Sequence, residues 1–268
     1  MKVVFFGTSN YCLPVLEALK KNFDLKLVVT RPDKPVGREK ILTPSATKLW
    51  AQKNNIPFAT EIKIVDCGLA IVADFGQIIP EEIFNKPKLG TFNIHFSKLP
   101  DLRGASPVQS ALLRDDTTAW ITVFELEKSL DTGPILDQRS FPILPDDTAQ
   151  TLYIRLFEEV AKYLPTLDFS GKLTPQSGTP IYCKTLTRQD GFVEWKDIEK
   201  PETYNKFRAY FPWPGLWSIK DDKRMKILKC HLASPRLVRL GRKKNRLVLD
   251  QIQFEGGLPH VPTASEIL

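Results

Sequence analysis

The chain opens on a short apolar run, KVVFFG, closed by a glycine. The next segment, YCLPVLEALKKN, spaces Leu13, Leu16 and Leu19 along one helical face, and DLKLVVT returns to a compact apolar run. Strand, helix and strand in that order predict a Rossmann-like α/β domain built on a parallel sheet, where sites form beyond the carboxyl ends of the strands. LAIVADF and GTFNIHF supply two further apolar strands, with a short helix in GQIIPEEIFN between them, and PVQSALLRDD begins another helix. WITVFELEKSLDTGPILDQ reads as two strands joined by a turn from Ser129 to Gly133, and TLYIRLFEEVAKYL as an amphipathic helix.

The alternation then stops. DFSGKLTPQSGTP is rich in Gly, Pro, Ser and Thr, a composition that marks a linker. Beyond it a helix around ETYNKFRAY meets the aromatic turn FPWPGLW, and WSIK, RMKILKCHL, RLVRLG and RLVLDQIQF read as short strands of a small OB-like β barrel. The expected organisation is an α/β domain over 1–168, a linker over 169–184 and a reduced barrel domain over 185–268, a division that suits 268 residues.

Composition narrows the class. With 42% hydrophobic and 26% charged residues the chain has the makings of a folded core. The apolar run before Gly7 is far shorter than a signal-peptide core or a spanning helix, so a cytoplasmic protein without membrane contact is expected. Cys12, Cys67, Cys183 and Cys230 show no CxxC spacing, which predicts buried thiols and neither a zinc site nor a disulfide framework. A single glycine at the first turn leaves the dinucleotide fingerprint GxGxxG incomplete, so no nicotinamide cofactor is predicted.

The net charge is +7, but from Lys220 to Arg246 eleven Lys or Arg face only Asp221 and Asp222, giving +9 there and −2 elsewhere. Such a run is either a solvated face or a surface for backbone phosphates. Earlier, RPDKPVGREKILTPSATKLW carries five basic residues up to Lys48 and precedes a helix that Ser45 or Thr43 could cap. A loop this long is either functional or a surface excursion.

The candidate chemistry lies in TFNIHFSKLPDLRGASP. In a strand, residues i and i+2 share a face, so Asn93 and His95 converge at the strand's end. Asn offers an amide donor to a carbonyl oxyanion, and His an acid or base near neutral pH. Asp131, in SLDTGP, stands at a turn from which it could set the charge and orientation of the imidazole. Spacing alone leaves open a purely structural histidine.

NIHFSKLPDLRGASPVQSAL followed by LDTGPIL resembles the folate-dependent formyltransferases, whose signature is Asn-x-His, Ser-Leu-Leu-Pro, a glycine-rich turn and Leu-Asp-Thr-Gly. VVFFGTSNYCLPVLEAL is similar to that family's opening strand and helix. TRPDKPVGREKILTPS resembles the substrate loop of the branch that formylates methionyl-tRNA, and GFVEW and FRAYFPWPG resemble the start of its C-terminal domain. The resemblance spans almost the whole chain. It implies a formyltransferase catalytic domain followed by a tRNA-binding domain, acting as a monomer, with 10-formyltetrahydrofolate as formyl donor, initiator methionyl-tRNA as acceptor and no metal.

Residue by residue, it implies a catalytic trio of Asn93, His95 and Asp131. Ser97, Lys98, Leu99 and Pro100 would wall the folate, and Phe75, Gly76, Gln77, Ile78 and Ile79 would read the pteridine through their backbone. Arg38 would engage the acceptor arm, and Lys243, Lys244 and Arg246, in the basic stretch, would meet RNA phosphates. Asn93 and a protonated His95 would stabilise the oxyanion, with Asp131 favouring the imidazolium.

The chain departs from the family in several places. Lys98 replaces a leucine, and either meets the folate's glutamate tail or points to water. Phe75 replaces the usual Tyr, and Asp74 stands where a small residue is usual. The segment between NNIPF and LAIVADF is short, and the C-terminal barrel is trimmed. Two alternatives remain: an amino sugar nucleotide N-formyltransferase, which would not need +9 in one stretch, and a non-catalytic RNA-binding derivative, which would not need the intact trio.

Overall fold

The computed structural model describes residues 1–37, 39–233, 247–263 and 266. Arg38, Lys243, Lys244, Arg246 and the expected strand RLVRLG lie outside the described residues. In chain order the elements are β1 (Lys2–Gly7), α1 (Leu13–Asn22), β2 (Asp24–Val29), β3 (Lys34–Val36), β4 (Ile41–Thr43), α2 (Ala46–Lys53), β5 (Phe58–Ala59) and β6 (Leu69–Ala73). Then follow α3 (Glu81–Phe84), β7 (Thr91–His95), β8 (Arg103–Gly104), α4 (Pro107–Leu113), β9 (Thr118–Glu125), β10 (Ile135–Pro142), α5 (Ala149–Tyr163) and β11 (Tyr182–Cys183). The remainder comprises α6 (Pro201–Tyr210), β12 (Leu216–Lys220), β13 (Lys223–Leu232) and β14 (Leu247–Phe254).

These residues form two compact units, one of Met1–Pro107, Thr118–Pro142 and Tyr153–Cys183, the other of Val108–Thr117, Ile143–Leu152 and Lys184–Leu268. The first is built on a sheet of order β10-β9-β7-β6-β1-β2-β5. Strands β7, β6, β1, β2 and β5 run parallel, and β9 and β10 join antiparallel at the β7 edge. The central strands read as continuous apolar runs because both of their faces are covered: all of β6 and everything in β1 after Lys2 is buried. On α1, Val15, Leu16 and Leu19 are buried, while Leu13 sits at the rim. Phe96, just past β7, packs edge-on against Tyr153 and Phe157 of α5, ring centroids 5.5 and 4.6 Å away.

Ser45 is the residue that caps α2. Its hydroxyl accepts the Lys48 N–H at 3.0 Å and lies 2.8 Å from the Thr30 hydroxyl, and Thr47 Oγ1 donates to Gly7 O at 3.0 Å. These buried hydroxyls tie the helix start to the carboxyl ends of β1 and β2. The basic loop between β2 and α2 is a hairpin, with Lys34 opposite Thr43 and Val36 opposite Ile41, turned through Gly37 and Lys40 at positive φ. Its apolar residues Val36, Ile41 and Leu42 are 51%, 60% and 67% exposed.

In the second unit the described residues give a three-stranded antiparallel sheet, β12-β13-β14, with single bridges joining Phe192 to Trp217 and Ile252 to His260. Its core gathers Phe207 of α6 with Leu216, Met225, Ile227, Leu249 and Ile252. The buried Arg208 guanidinium meets Asp115 at 3.1 Å and Asn205 at 2.7 Å. No helix among the described residues is long and apolar enough to cross a membrane.

Ser45→Ala removes both the cap acceptor and a partner of two buried threonine hydroxyls. A loss of about 1–2 kcal/mol is expected, read as a lower urea midpoint with an unchanged slope.

Candidate active site

Val72 of β6 lies in register with Asn93 of β7, so the loops leaving these neighbouring parallel strands emerge side by side at their carboxyl ends. The pleat puts Asn93 and His95 on one face, with Asn93 half-buried and His95 6% exposed. His95 Nε2 lies 2.9 Å from the Leu102 carbonyl oxygen. A carbonyl only accepts, so the ring proton resides on Nε2 and the lone pair on Nδ1. That Nδ1 faces Asp131 Oδ2 across 3.8 Å, too far for a direct hydrogen bond.

Burial is the largest influence on the imidazole and lowers its pKa below the usual 6.5, against the opposing pull of the Asp131 charge and the Leu102 carbonyl. The free site therefore holds a neutral imidazole at neutral pH, where the sequence suggested an imidazolium. A lone histidine in a sequence carries no sign of how deeply it will be buried.

Asp131 is itself 8% exposed and sits at φ +51°. Its Oδ2 accepts the Gly104 N–H at 2.7 Å. Two glycines make this turn possible by close approach: a methyl on Gly133 would overlap the Glu125 carbonyl, and one on Gly104 would come within 2.5 Å of the Cys183 carbonyl. Behind the turn, Gln176 Nε2 donates to the carbonyls of Asp131 at 2.9 Å and Gly133 at 2.8 Å. Strand β11 pairs with β8, Tyr182 opposite Arg103 and Cys183 opposite Gly104. Cys183 is only half-buried, whereas the other three cysteines are buried, and burial pushes its thiol pKa up.

The expected folate segments flank the pair. Ser97 Oγ donates to the Asp101 carbonyl, Thr122 Oγ1 donates to Ser97 O at 2.6 Å, and Gln138 Nε2 donates to Leu99 O at 3.2 Å. Leu99 is buried, Pro100 half-buried, and Lys98 rests its ammonium 4.6 Å above the centre of the Trp120 ring. An aromatic face attracts a cation, so Lys98 has a partner within the protein, which neither expectation for it included. On the neighbouring loop, Phe75 and Ile79 are buried anchors, and the Phe75 ring meets Phe6 edge-on at 5.5 Å. Between them Gly76, at φ +70°, Gln77 and the 92% exposed Ile78 form an open backbone stretch, with nothing near the space a Gly76 side chain would occupy. Asp74, also exposed, turns the chain there at φ +51°. That open edge suits a flat ring read by main-chain groups.

The structure thus brings Asn93, His95 and Asp131 together, with the two segments expected to meet the folate on the loops beside them. Gly104, Leu102 and Gln176 were missed: two act through main-chain atoms, and the third lies in a stretch whose composition suggested only a linker. Among the described residues no three His, Cys, Asp or Glu gather as metal ligands.

The family model for formyl transferases matches residues 1–167, and that for the formyl transferase C-terminal domain matches residues 185–260. The chain belongs to the formyl transferase family. A methionyl-tRNA formyltransferase of Geobacter sulfurreducens is 33% identical, the match covering 98% of this chain and 92% of that one. The solved methionyl-tRNA formyltransferase from Clostridium thermocellum shares the fold, with a TM-score of 0.66 at 16% identity over 95% and 98% of the two chains. WlaRD, a sugar 3N-formyl transferase solved in the presence of dTDP and 5-N-formyl-THF, is 27% identical with a TM-score of 0.61, covering 87% of each chain. The formyl transferase fold accounts for the parallel strands, the antiparallel edge and the C-terminal sheet.

The depressed His95 pKa fixes a sign. Stability that depends on the neutral ring is present above about pH 6.5 and is lost as pH falls through the folded-state value. Asp131→Asn removes the one neighbouring charge that raises this value, so the ring, followed by NMR, is expected to titrate at a still lower pH than in the wild type.

Proposed function

We infer that this protein transfers the formyl group of 10-formyltetrahydrofolate to the α-amine of methionine esterified to initiator tRNA. The reading rests chiefly on a half-buried amide and a buried imidazole backed by a carboxylate, at the end of β7, in a chain related over almost its whole length to methionyl-tRNA formyltransferases.

The chemistry follows from the charge that develops. As the uncharged amine attacks the formyl carbon, the carbonyl oxygen becomes negative, and the Asn93 amide donates to it. The attacking nitrogen becomes acidic and loses a proton to His95 Nδ1, the ring nitrogen left without one by the Leu102 bond. The Asp131 carboxylate 3.8 Å away stabilises the resulting imidazolium. When the intermediate collapses, the Nδ1 proton passes to N10 of the folate as the bond from that nitrogen to the formyl carbon breaks. Formylmethionyl-tRNA and tetrahydrofolate result, and His95 is neutral again.

Binding is assigned by exposure and charge. The folate ring would lie along Gly76–Ile78, against the wall of Ser97–Pro100. The hairpin of β3 and β4, with exposed Val36, Ile41 and Leu42 and carrying Arg38, would approach the acceptor end. In the basic stretch, Lys220 and Arg224 sit over the Trp195 and Trp217 rings at 4.6 and 4.1 Å, while Lys223, Lys226 and Lys229 are exposed on the sheet for phosphates; Lys243, Lys244 and Arg246 follow them in the sequence. The sugar formyltransferase match supports an amino sugar nucleotide as second acceptor, but that substrate has no use for so long a basic stretch.

Purified protein supplied with 10-formyltetrahydrofolate is expected to formylate charged initiator methionyl-tRNA and to leave an amino sugar nucleotide unmodified; the reverse outcome overturns the assignment. His95→Ala should lower kcat about 10²–10⁴-fold and Asn93→Ala about 10²–10³-fold, and near wild-type turnover in either contradicts the roles given. Replacing Lys243, Lys244 and Arg246 together by Gln should weaken tRNA binding and flatten its log–log salt slope by about 2, whereas an unchanged slope makes the stretch a solvated face.

A further inference from the structure

We propose that Gln176 is a positioning residue for formyl transfer: its carboxamide, oriented by Arg103, holds the Asp131 turn in the register that sets the Asp131 carboxylate opposite His95. The proposal rests on the roles given above to His95 and Asp131.

The orientation of the carboxamide is decided by its neighbours. Arg103 offers only donors, and its Nε and Nη2 lie 3.2 and 2.6 Å from Gln176 Oε1. The carbonyls of Asp131 and Gly133 only accept, and both lie within 2.9 Å of Gln176 Nε2. One assignment of oxygen and nitrogen satisfies all four contacts. The two carbonyls bracket the turn in which Asp131 adopts φ +51°, a left-handed conformation that Asp tolerates better than most residues and that the two amide donors hold in place.

The contacts also close a loop. Arg103 precedes Gly104, whose N–H holds Asp131 Oδ2, and it follows Leu102, whose carbonyl holds His95 Nε2. Gln176 therefore fixes the aspartate main chain to the same short segment that fixes the aspartate side chain and the imidazole. Tyr182 and Cys183, pairing with Arg103 and Gly104, hold that segment from the other side. Without the two amide donors the turn can relax and carry the carboxylate away from Nδ1.

Gln176→Met keeps the length of the side chain, adds no charge and removes both donors. It is expected to lower kcat about ten- to hundredfold while the KM for methionyl-tRNA and for the folate stays within about twofold, because the group acts on geometry at the reacting centre and not on binding. The acid limb of kcat/KM and the NMR titration of the His95 ring should both move to lower pH, toward those of Asp131→Asn, since the carboxylate no longer faces the ring. Arg103→Met, which leaves Gln176 present but unoriented, should move the same readouts in the same direction, and serves if the first variant does not fold. Wild-type kcat with unmoved titrations in the folded variants overturns the proposal. Full activity in Asp131→Asn overturns instead the role of Asp131 on which it rests. The NMR titration needs no turnover, so it decides the proposal even if the acceptor is another amine.

Discussion

A carboxylate removed from water must be met by donors or by an opposite charge, or it costs several kcal/mol. Asp131 is nearly enclosed, with the Gly104 amide on one oxygen and, across 3.8 Å, an imidazole that burial keeps neutral. Each partner is therefore incompletely satisfied while the site is at rest. A proton arriving on His95 Nδ1 relieves both, turning a neutral ring beside a charge into an ion pair. The same low-dielectric surroundings that depress the resting pKa strengthen that pair once the oxyanion and the imidazolium form together. Much of the local structure exists to hold the two groups at this separation.

The sheet supplies the rigid part of that arrangement. The parallel array ends at β7, and β9 lies against it antiparallel, with Thr122 opposite His95. Because β9 runs antiparallel, the turn that follows it starts beside Thr91 at the amino end of β7, and Asp131 reaches the His95 ring from within that turn. The loops supply the adjustable part. Thr122 and Gln138 pin the Ser97–Pro100 segment, Phe75 and Ile79 anchor the opposite loop in the core, and Gly104 and Gly133 permit approaches that a side chain would block.

The strands were legible because a parallel sheet covered on both faces writes itself as uninterrupted apolar runs, and Asn93 and His95 were legible because a period of two at a strand end is a local property. What depends on distant neighbours was not. The basic hairpin was read as loop because Pro35 and the exposed face of both strands leave no alternation to detect. The neutral state of His95 follows from burial by segments scattered along the chain. Lys98 was expected to meet the folate's glutamate tail or water, and Trp120, a residue on another strand, lies beneath its ammonium instead. Asp131 could be placed at a turn, but not the amide, the glycines and the glutamine that aim it.

The central claim is that the formyl carbon sits at the end of β7, with its oxygen on the Asn93 amide and His95 Nδ1 facing the place of the attacking amine. A crystal structure with a non-transferring analogue of 10-formyltetrahydrofolate measures this directly. The account predicts the formyl oxygen within about 3.2 Å of the Asn93 amide nitrogen, with the pterin ring along Gly76–Ile78. A formyl group lodged away from the Asn93 amide would contradict it.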